Sequence, residues 1–332
     1  MKSVMSTAKP QRLGWIGLGS MGLAMATNIQ KHLTQHQLPS LNYWNRTISR
    51  GQPLKDIGGI PCASPEDLVQ SCDIIFISLS DDTALKSLIA TLTTSVTFTD
   101  KIFIDTTTVH PSTTSLVAEQ LTSYNAFYIA APVFGSTPVA QAGQLLIAVA
   151  GPNDAIEFVS PYLSGVIARG VIRVGEDQQK ALLLKTTSNF ITAGLMYVLS
   201  EAHVLGETSG LDASILHSLV EQNFGAYAAG VSERLISGAY CPAVGEAPRS
   251  GLELGIKDVG HGVQLAREKG VRLEVGELYL GAAEEAKKWG DERGRRMDSS
   301  AVFGIVRERA GLGFEKEVGR SGYEKIEKTS EK

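Results

Sequence analysis

The stretch RLGWIGLGSMGLAMATNIQKHL, residues 12–33, decides the fold. It opens on a short apolar run, turns through Gly17, Gly19 and Gly22 in the spacing GxGxxG, and continues as a helical pattern. A strand, a glycine turn and a helix in this order form the phosphate corner of a doubly wound sheet. Gly17 permits the tight turn, Gly19 lets a diphosphate approach the backbone, and Gly22 lets the helix pack close to the sheet. The N–H groups that open the helix have no helical partner and face an anion. Gly17, Leu18, Gly19, Ser20, Met21 and Gly22 are therefore the expected cradle of a dinucleotide.

Working outward, five further apolar runs read as strands: LNYWNR (41–46), DIIFISL (73–79), KIFIDTT (101–107), AFYIAAPV (126–133) and QLLIAVAG (144–151). Helical or loop patterns separate them. This alternation predicts an α/β Rossmann domain, a mostly parallel sheet with helices on both faces, over residues 11–176. Beyond it the strand-like runs stop. Helices are expected at 177–206, 212–238, 251–269, 274–289 and 298–310, giving an all-α domain over 177–312. The segment 313–332 is dense in Glu, Lys and Gly and is expected to be a disordered tail.

Composition agrees with two globular domains. The chain has 332 residues, 43% hydrophobic and 20% charged, with a net charge of −4. No basic field exists to hold nucleic acid or an anionic membrane. Cys62, Cys72 and Cys241 are odd in number and fit neither a disulfide framework nor a zinc site, so they read as reduced thiols. The opening MKSVMSTAKP lacks the apolar core of a secretory signal. Runs such as IIFISL and LLIAVA are too short to span a bilayer. A cytoplasmic protein is expected. His110, His203, His217 and His261 show no ligand spacing. His203 and Glu207 lie one turn apart, but two groups do not make a metal site, and no metal is expected.

The second strand normally ends on a carboxylate when NAD is bound, because the ribose hydroxyls donate to it. Here it ends in Asn45, Arg46 and Thr47, with Arg50 nearby. A guanidinium suits a 2′-phosphate through paired, charge-assisted hydrogen bonds, so NADP (NADPH) is the expected cofactor.

GLGSMGLAMATN (17–28) resembles the opening signature of the β-hydroxyacid dehydrogenases, such as 3-hydroxyisobutyrate dehydrogenase, built on the 6-phosphogluconate dehydrogenase type of NADP-binding domain. Four later blocks follow that family's order: IDTTTVHP (104–111), APVFGSTPVAQAGQL (131–145), LLLKTTSN (182–189), and Lys257-Asp258 followed by MDSSA (297–301). The resemblance implies an NADP-dependent oxidoreductase acting on a small hydroxyacid or aldehyde-acid, in a cleft between the domains. Lys185 would be the general acid/base. Thr107, Gly135, Ser136, Phe134 and Asn189 would face the substrate. Leu79, Thr107, Thr108 and Lys257 would line the dinucleotide. The resemblance also implies a homodimer or homotetramer.

The chemistry suits these residue types. Hydride transfer to a carbonyl needs a proton donor at the oxygen. A lysine serves if burial or nearby positive charge brings its pKa down from about 10.4 toward neutrality. Lys185 follows three leucines, and Asn189 lies one turn later on the same face. Lys180 reads as a surface lysine. Two departures limit the resemblance. Phe134 stands where the family has serine, removing a hydroxyl and adding an aromatic face. GEDQQKA (175–181) replaces a Gly-x-Gly start, and Asp177 can instead cap the helix. Imine reductases and reductive aminases share this architecture and are the alternative activity, although they usually carry Asp or Tyr at the Lys185 position. A non-catalytic dinucleotide-binding module is the third reading.

Overall fold

The computed structural model describes residues 10–316. They form two compact units, one extending to Thr187 and one starting at Ser188.

The first unit is built on nine strands: β1 (Leu13–Ile16), β2 (Asn42–Trp44), β3 (Ile60–Pro61), β4 (Ile74–Ile77), β5 (Ile102–Asp105), β6 (Phe127–Ala130), β7 (Val133–Phe134), β8 (Leu145–Ala150) and β9 (Ala168–Gly175). They hydrogen-bond in the order β3-β2-β1-β4-β5-β6-β8-β7, with β9 also on β8. The six strands from β3 to β6 are parallel to their neighbours. β8 runs antiparallel to β6 and β7 and parallel to β9. This is the expected α/β architecture, a mostly parallel sheet. The central strands β1, β4 and β5 are buried along their whole length. Such strands carry apolar side chains toward both faces, which is why they read as unbroken runs. Trp15 and Phe76 stack at 5.0 Å in the core of one face, while Ile16 and Ile77 belong to the core of the other.

Helices cover both faces: α1 (Ser20–Gln35), α2 (Gln52–Lys55), α3 (Pro65–Ser71), α4 (Asp82–Thr93), α5 (Pro111–Ser123), α6 (Thr137–Gln141) and α7 (Asn153–Val159). Ser64 accepts from the Asp67 N–H at 3.0 Å and starts α3. Asp81 accepts from the Ala84 N–H at 2.9 Å and starts α4. Three strands escaped the sequence pattern. β3 and β7 have two residues each, too few to show a period. β9 (ARGVIRVG) is largely exposed and carries two arginines, so it lacks the continuous apolar run of a central strand.

The helix α8 (Gln178–Thr208) leads from the first unit into the second. Asp177 accepts from the Gln179 N–H at 3.1 Å, as a cap for this start requires. The second unit continues with α9 (Ala213–Ile236), α10 (Leu252–Glu268), α11 (Glu274–Asp291) and α12 (Val302–Arg309). Among the described residues it has no strand, only an isolated bridge between Gly251 and Asp298. Asp298 is fully buried and pairs with Arg234 of α9. It also accepts from the Ser250 N–H at 2.9 Å and from the Ser300 hydroxyl at 2.6 Å. One carboxylate thus ties three separate chain segments.

Two sequence expectations need correction. By length and composition alone α8 is apolar enough to cross a membrane. Short runs such as IIFISL concealed it, because its apolar residues are spread over 31 positions. Ala181 and Leu182 belong to a core of the first unit, and Ala193, Met196, Tyr197, Leu199 and Val204 to the core of the second. Burial in these two cores accounts for part of that composition, while Leu183, Ile191, Val198 and Leu205 of the same helix are exposed. The expected tail from 313 begins too early. Phe314 is buried against Trp289, their rings stacked at 3.9 Å, and its carbonyl accepts from the Tyr240 hydroxyl at 2.8 Å. Residues 317–332 of that tail lie outside the described residues.

Candidate active site

The glycine turn between β1 and α1 is the most constrained backbone in the first unit. Gly17 has φ +97, and a Cβ there would fall 2.2 Å from the Ser78 carbonyl oxygen. A Cβ on Gly22 would fall 2.2 Å from the Gly17 carbonyl oxygen and 3.2 Å from the Ser78 Cβ. Both positions therefore need glycine for close packing of the turn and helix against the end of β4. Gly19 differs. It caps α1 with φ −66, and a Cβ there would meet nothing within 4 Å. No side chain caps this helix and no acidic residue occupies its first turn. Gly19 and Ser20 are exposed and Met21 is half-buried. Open space over uncapped N–H groups fits the diphosphate of a dinucleotide.

Asn45 is engaged differently from the expectation. Its Oδ1 accepts from the Leu18 N–H at 2.9 Å and its Nδ2 donates to the Thr47 carbonyl at 2.8 Å. Asn45 is thus a strut between the tip of β2 and the glycine turn. Arg46 and Thr47 are exposed just beyond β2.

The ends of β4 and β5 are joined by Thr107, whose hydroxyl accepts from the Leu79 N–H at 3.0 Å. Behind Thr107 lies Asp105, a site residue not singled out by the sequence pattern. Its Oδ1 accepts from the Thr107 N–H at 2.9 Å, and its Oδ2 accepts from the Tyr128 hydroxyl at 2.8 Å. Burial pushes the Asp105 carboxyl from 3.8 up to about 6, against the opposing effect of its hydrogen bonds to Thr107 and Tyr128. The available signal was IFID, an apolar strand closing on a carboxylate. Thr108 follows, half-buried.

Lys185 and Phe134 meet within this unit. The Lys185 Nζ lies 5.0 Å from the centroid of the Phe134 ring. A cation over an aromatic face is attracted to it by about 0.5–1 kcal/mol at an exposed site. Gly135 has φ +138 and Ser136 starts α6 without a side-chain cap bond. Lys180 is exposed, as expected of a surface lysine.

In the second unit, Asn189 Nδ2 donates to Asp258 Oδ2 at 2.9 Å, and Lys257 Nζ lies 3.1 Å from Asp258 Oδ1. Asp258 thus links two predicted site residues, a role that adjacency in sequence to Lys257 did not reveal. The histidines are otherwise engaged: His203 Nε2 and His217 Nδ1 lie 2.8 and 3.1 Å from the Ser232 hydroxyl. Glu207 pairs with Arg307. Among the described residues no three His, Cys, Asp or Glu side chains cluster as a metal site.

Residues 12–175 match the family described as the NAD binding domain of 6-phosphogluconate dehydrogenase. The first half of the chain is an NAD-binding domain of this type. The chain's homologues include dehydrogenases resembling 3-hydroxyisobutyrate dehydrogenase. The NADH-dependent oxidoreductase ucdB of Aspergillus ustus is 26% identical over 297 residues, 89% of this chain and 98% of that protein. The 2-(hydroxymethyl)glutarate dehydrogenase of Eubacterium barkeri is 28% identical over 311 residues, 92% of this chain and 97% of that protein. In structure, 3-hydroxyisobutyrate dehydrogenase of Mycobacterium tuberculosis shares the fold with a TM-score of 0.75 at 19% identity, covering 90% of this chain and all of that one. Imine reductases and reductive aminases share it at TM-scores of 0.56 to 0.60. The chain thus shares its fold both with 3-hydroxyisobutyrate dehydrogenase and with imine reductases.

Two predictions follow from this geometry. Gly19→Ala keeps an allowed φ and meets open space, so its melting temperature stays within about 2 °C of wild type while dinucleotide Kd rises at least about tenfold. Gly22→Ala meets a carbonyl and lowers stability by roughly 1–3 kcal/mol. Thermal melts and fluorescence titration with NADPH separate the two, and equal behaviour of the variants would contradict the reading. Asp105 binds its proton more tightly in the folded state. Its contribution therefore favours the fold at low pH and is lost as pH rises from about 4 to about 6. Relative to Asp105→Asn, wild type should lose on the order of 3 kcal/mol over that interval, at about 1.36 kcal/mol per pH unit. Urea unfolding at several pH values measures this, and a constant difference would refute it.

Proposed function

We propose that this protein is an NADP-dependent oxidoreductase that interconverts a small hydroxyacid and its carbonyl form, with Lys185 as general acid/base. The observation that carries the proposal is a half-buried lysine beside the Phe134–Ser136 loop of an NAD-binding domain. When bound, the nicotinamide supplies or accepts the hydride. In the reducing direction the Lys185 ammonium gives its proton to the carbonyl oxygen as negative charge develops there, and solvent reprotonates the amine. In the oxidising direction the neutral amine takes the hydroxyl proton. Thr107, Gly135, Ser136 and Asn189 orient the substrate in this reading. Asp105 steadies Thr107, and Asp258 steadies Asn189 and Lys257. Gly17–Gly22 hold the diphosphate, while Leu79, Thr108 and Lys257 line the rest of the dinucleotide.

A second reading, reduction of imines, is favoured by one observation: the apolar ring of Phe134 beside Lys185. Activity distinguishes the two. NADPH oxidation is followed with aldehyde-acids, ketones and cyclic imines, beside Lys185→Ala. Turnover of an aldehyde-acid that falls at least about 100-fold in the variant supports the dehydrogenase reading. Turnover of imines alone moves the protein to the second.

The preference for NADP rests on Arg46, exposed past a β2 that ends without a carboxylate. The relative described as NADH-dependent makes this the choice most worth testing. Arg46→Ala should weaken NADP binding at least about tenfold and leave NAD binding within about twofold, the loss expected of a charge-assisted contact. Equal change for both dinucleotides would remove the 2′-phosphate assignment. Self-association is also proposed, through Ile191, Val198 and Leu205. These lie seven residues apart on α8 and are 63, 54 and 68% exposed. Light scattering that detects only monomer would exclude it.

A further inference from the structure

The aromatic ring beside Lys185 bears on which substrate the site accepts. Its position is fixed by backbone. Phe134 lies in β7, opposite Leu146 of β8. The next residue, Gly135, has φ +138, and a Cβ there would come within 2.8 Å of the Leu145 Cδ2. The ring packs against one core of the sheet and remains partly exposed. Around it the chain is uncharged: residues 126–151 contain no Lys, Arg, Asp or Glu. This loop therefore offers no cation of its own to a carboxylate. The face of an aromatic ring carries negative potential, which attracts the Lys185 ammonium and disfavours a carboxylate. An apolar group placed there loses water from its own surface and from the ring, and an aryl group gains ring–ring contact as well.

We propose that Phe134 is the specificity-determining residue of this site and selects hydroxyacids branched by a bulky apolar, preferably aryl, substituent next to the reacting carbon. The substituent packs on the Phe134 ring while the hydroxyl or carbonyl oxygen meets Lys185. The substrate carboxylate points away from the 126–151 segment. The proposal rests on the reading of Lys185 as proton donor and acceptor. It narrows that reading from small hydroxyacids in general to those with an apolar branch.

The test compares 3-hydroxypropanoate with 2-benzyl-3-hydroxypropanoate, oxidised with NADP by wild type, Phe134→Ser, Phe134→Leu and Lys185→Ala. Wild type should favour the benzyl compound at least about tenfold in kcat/KM, the ratio expected for one buried aromatic contact. Phe134→Ser should lose that preference, read as the ratio of kcat/KM for the two compounds, and Phe134→Leu should retain part of it. The Kd values of both compounds for the NADP-loaded protein, read by saturation-transfer NMR, give the same ratio where turnover is slow. Thermal melts verify that each variant folds. A ratio that stays within twofold of wild type in Phe134→Ser overturns the proposal, as does a wild type with no preference in rate or in Kd. Lys185→Ala separates the two readings: it should abolish turnover and keep the binding preference. Retained turnover in that variant would remove the lysine reading, while the Phe134→Ser ratio would still decide the specificity.

Discussion

The carbonyl of Ser78, at the end of β4, lies so close to Gly17 that no side chain fits between them. That approach fixes where the chain leaves β1, and hence where α1 begins. Gly22 repeats the constraint one turn into the helix, against the carbonyl of Gly17 itself. The turn can then place its outermost residue, Gly19, over open space with the first helical N–H groups uncapped. Asn45 braces the same turn from β2, so the loop is held from two neighbouring strands. The anion-binding character of this corner is a consequence of packing: backbone donors stay exposed because nothing in the fold covers them.

Carboxylates, buried at Asp105 and Asp298 and half-buried at Asp258, perform a related task elsewhere. Asp105 ties the backbone of Thr107 to the Tyr128 hydroxyl, and Thr107 in turn holds the Leu79 N–H. The ends of β4 and β5 are thereby joined to each other and to β6. In the second unit Asp258 joins Asn189 to Lys257, and Asp298 joins α9 to the 250 and 298–300 segments. Asp105 and Asp298 each accept several hydrogen bonds at once, which a hydroxyl or amide of similar size cannot do as strongly. Removing water from such a group is costly unless its acceptors are filled. The hydrogen-bonded arrangement is therefore specific, and it positions residues that are distant in sequence.

Dehydrogenases and imine reductases share this scaffold, so activity depends on a few side chains carried upon it. Phe134 is one of them: β7 sets its ring 5.0 Å from the Lys185 Nζ.

Much of this was legible from residues 12–33 and the apolar runs that follow. A parallel strand buried on both faces must be apolar without interruption, and a phosphate turn must have glycine where backbone meets backbone. Those requirements are local, so the sequence carried the α/β class, the central strands, the glycine loop and the helices of the second unit. The short strands β3 and β7 and the exposed β9 were not legible, because pairing with a neighbour creates them and their own residues show no period. The same holds for the site. Lys185 and the glycines could be found by pattern. Asn45 as a strut, Asp105 behind Thr107, Asp258 between Asn189 and Lys257, and the ring of Phe134 over Lys185 could not. Asn45–Leu18, Asp105–Tyr128, Phe134–Lys185 and Asn189–Asp258 lie far apart in sequence, and only the folded chain brings such partners within hydrogen-bonding or ring-contact distance.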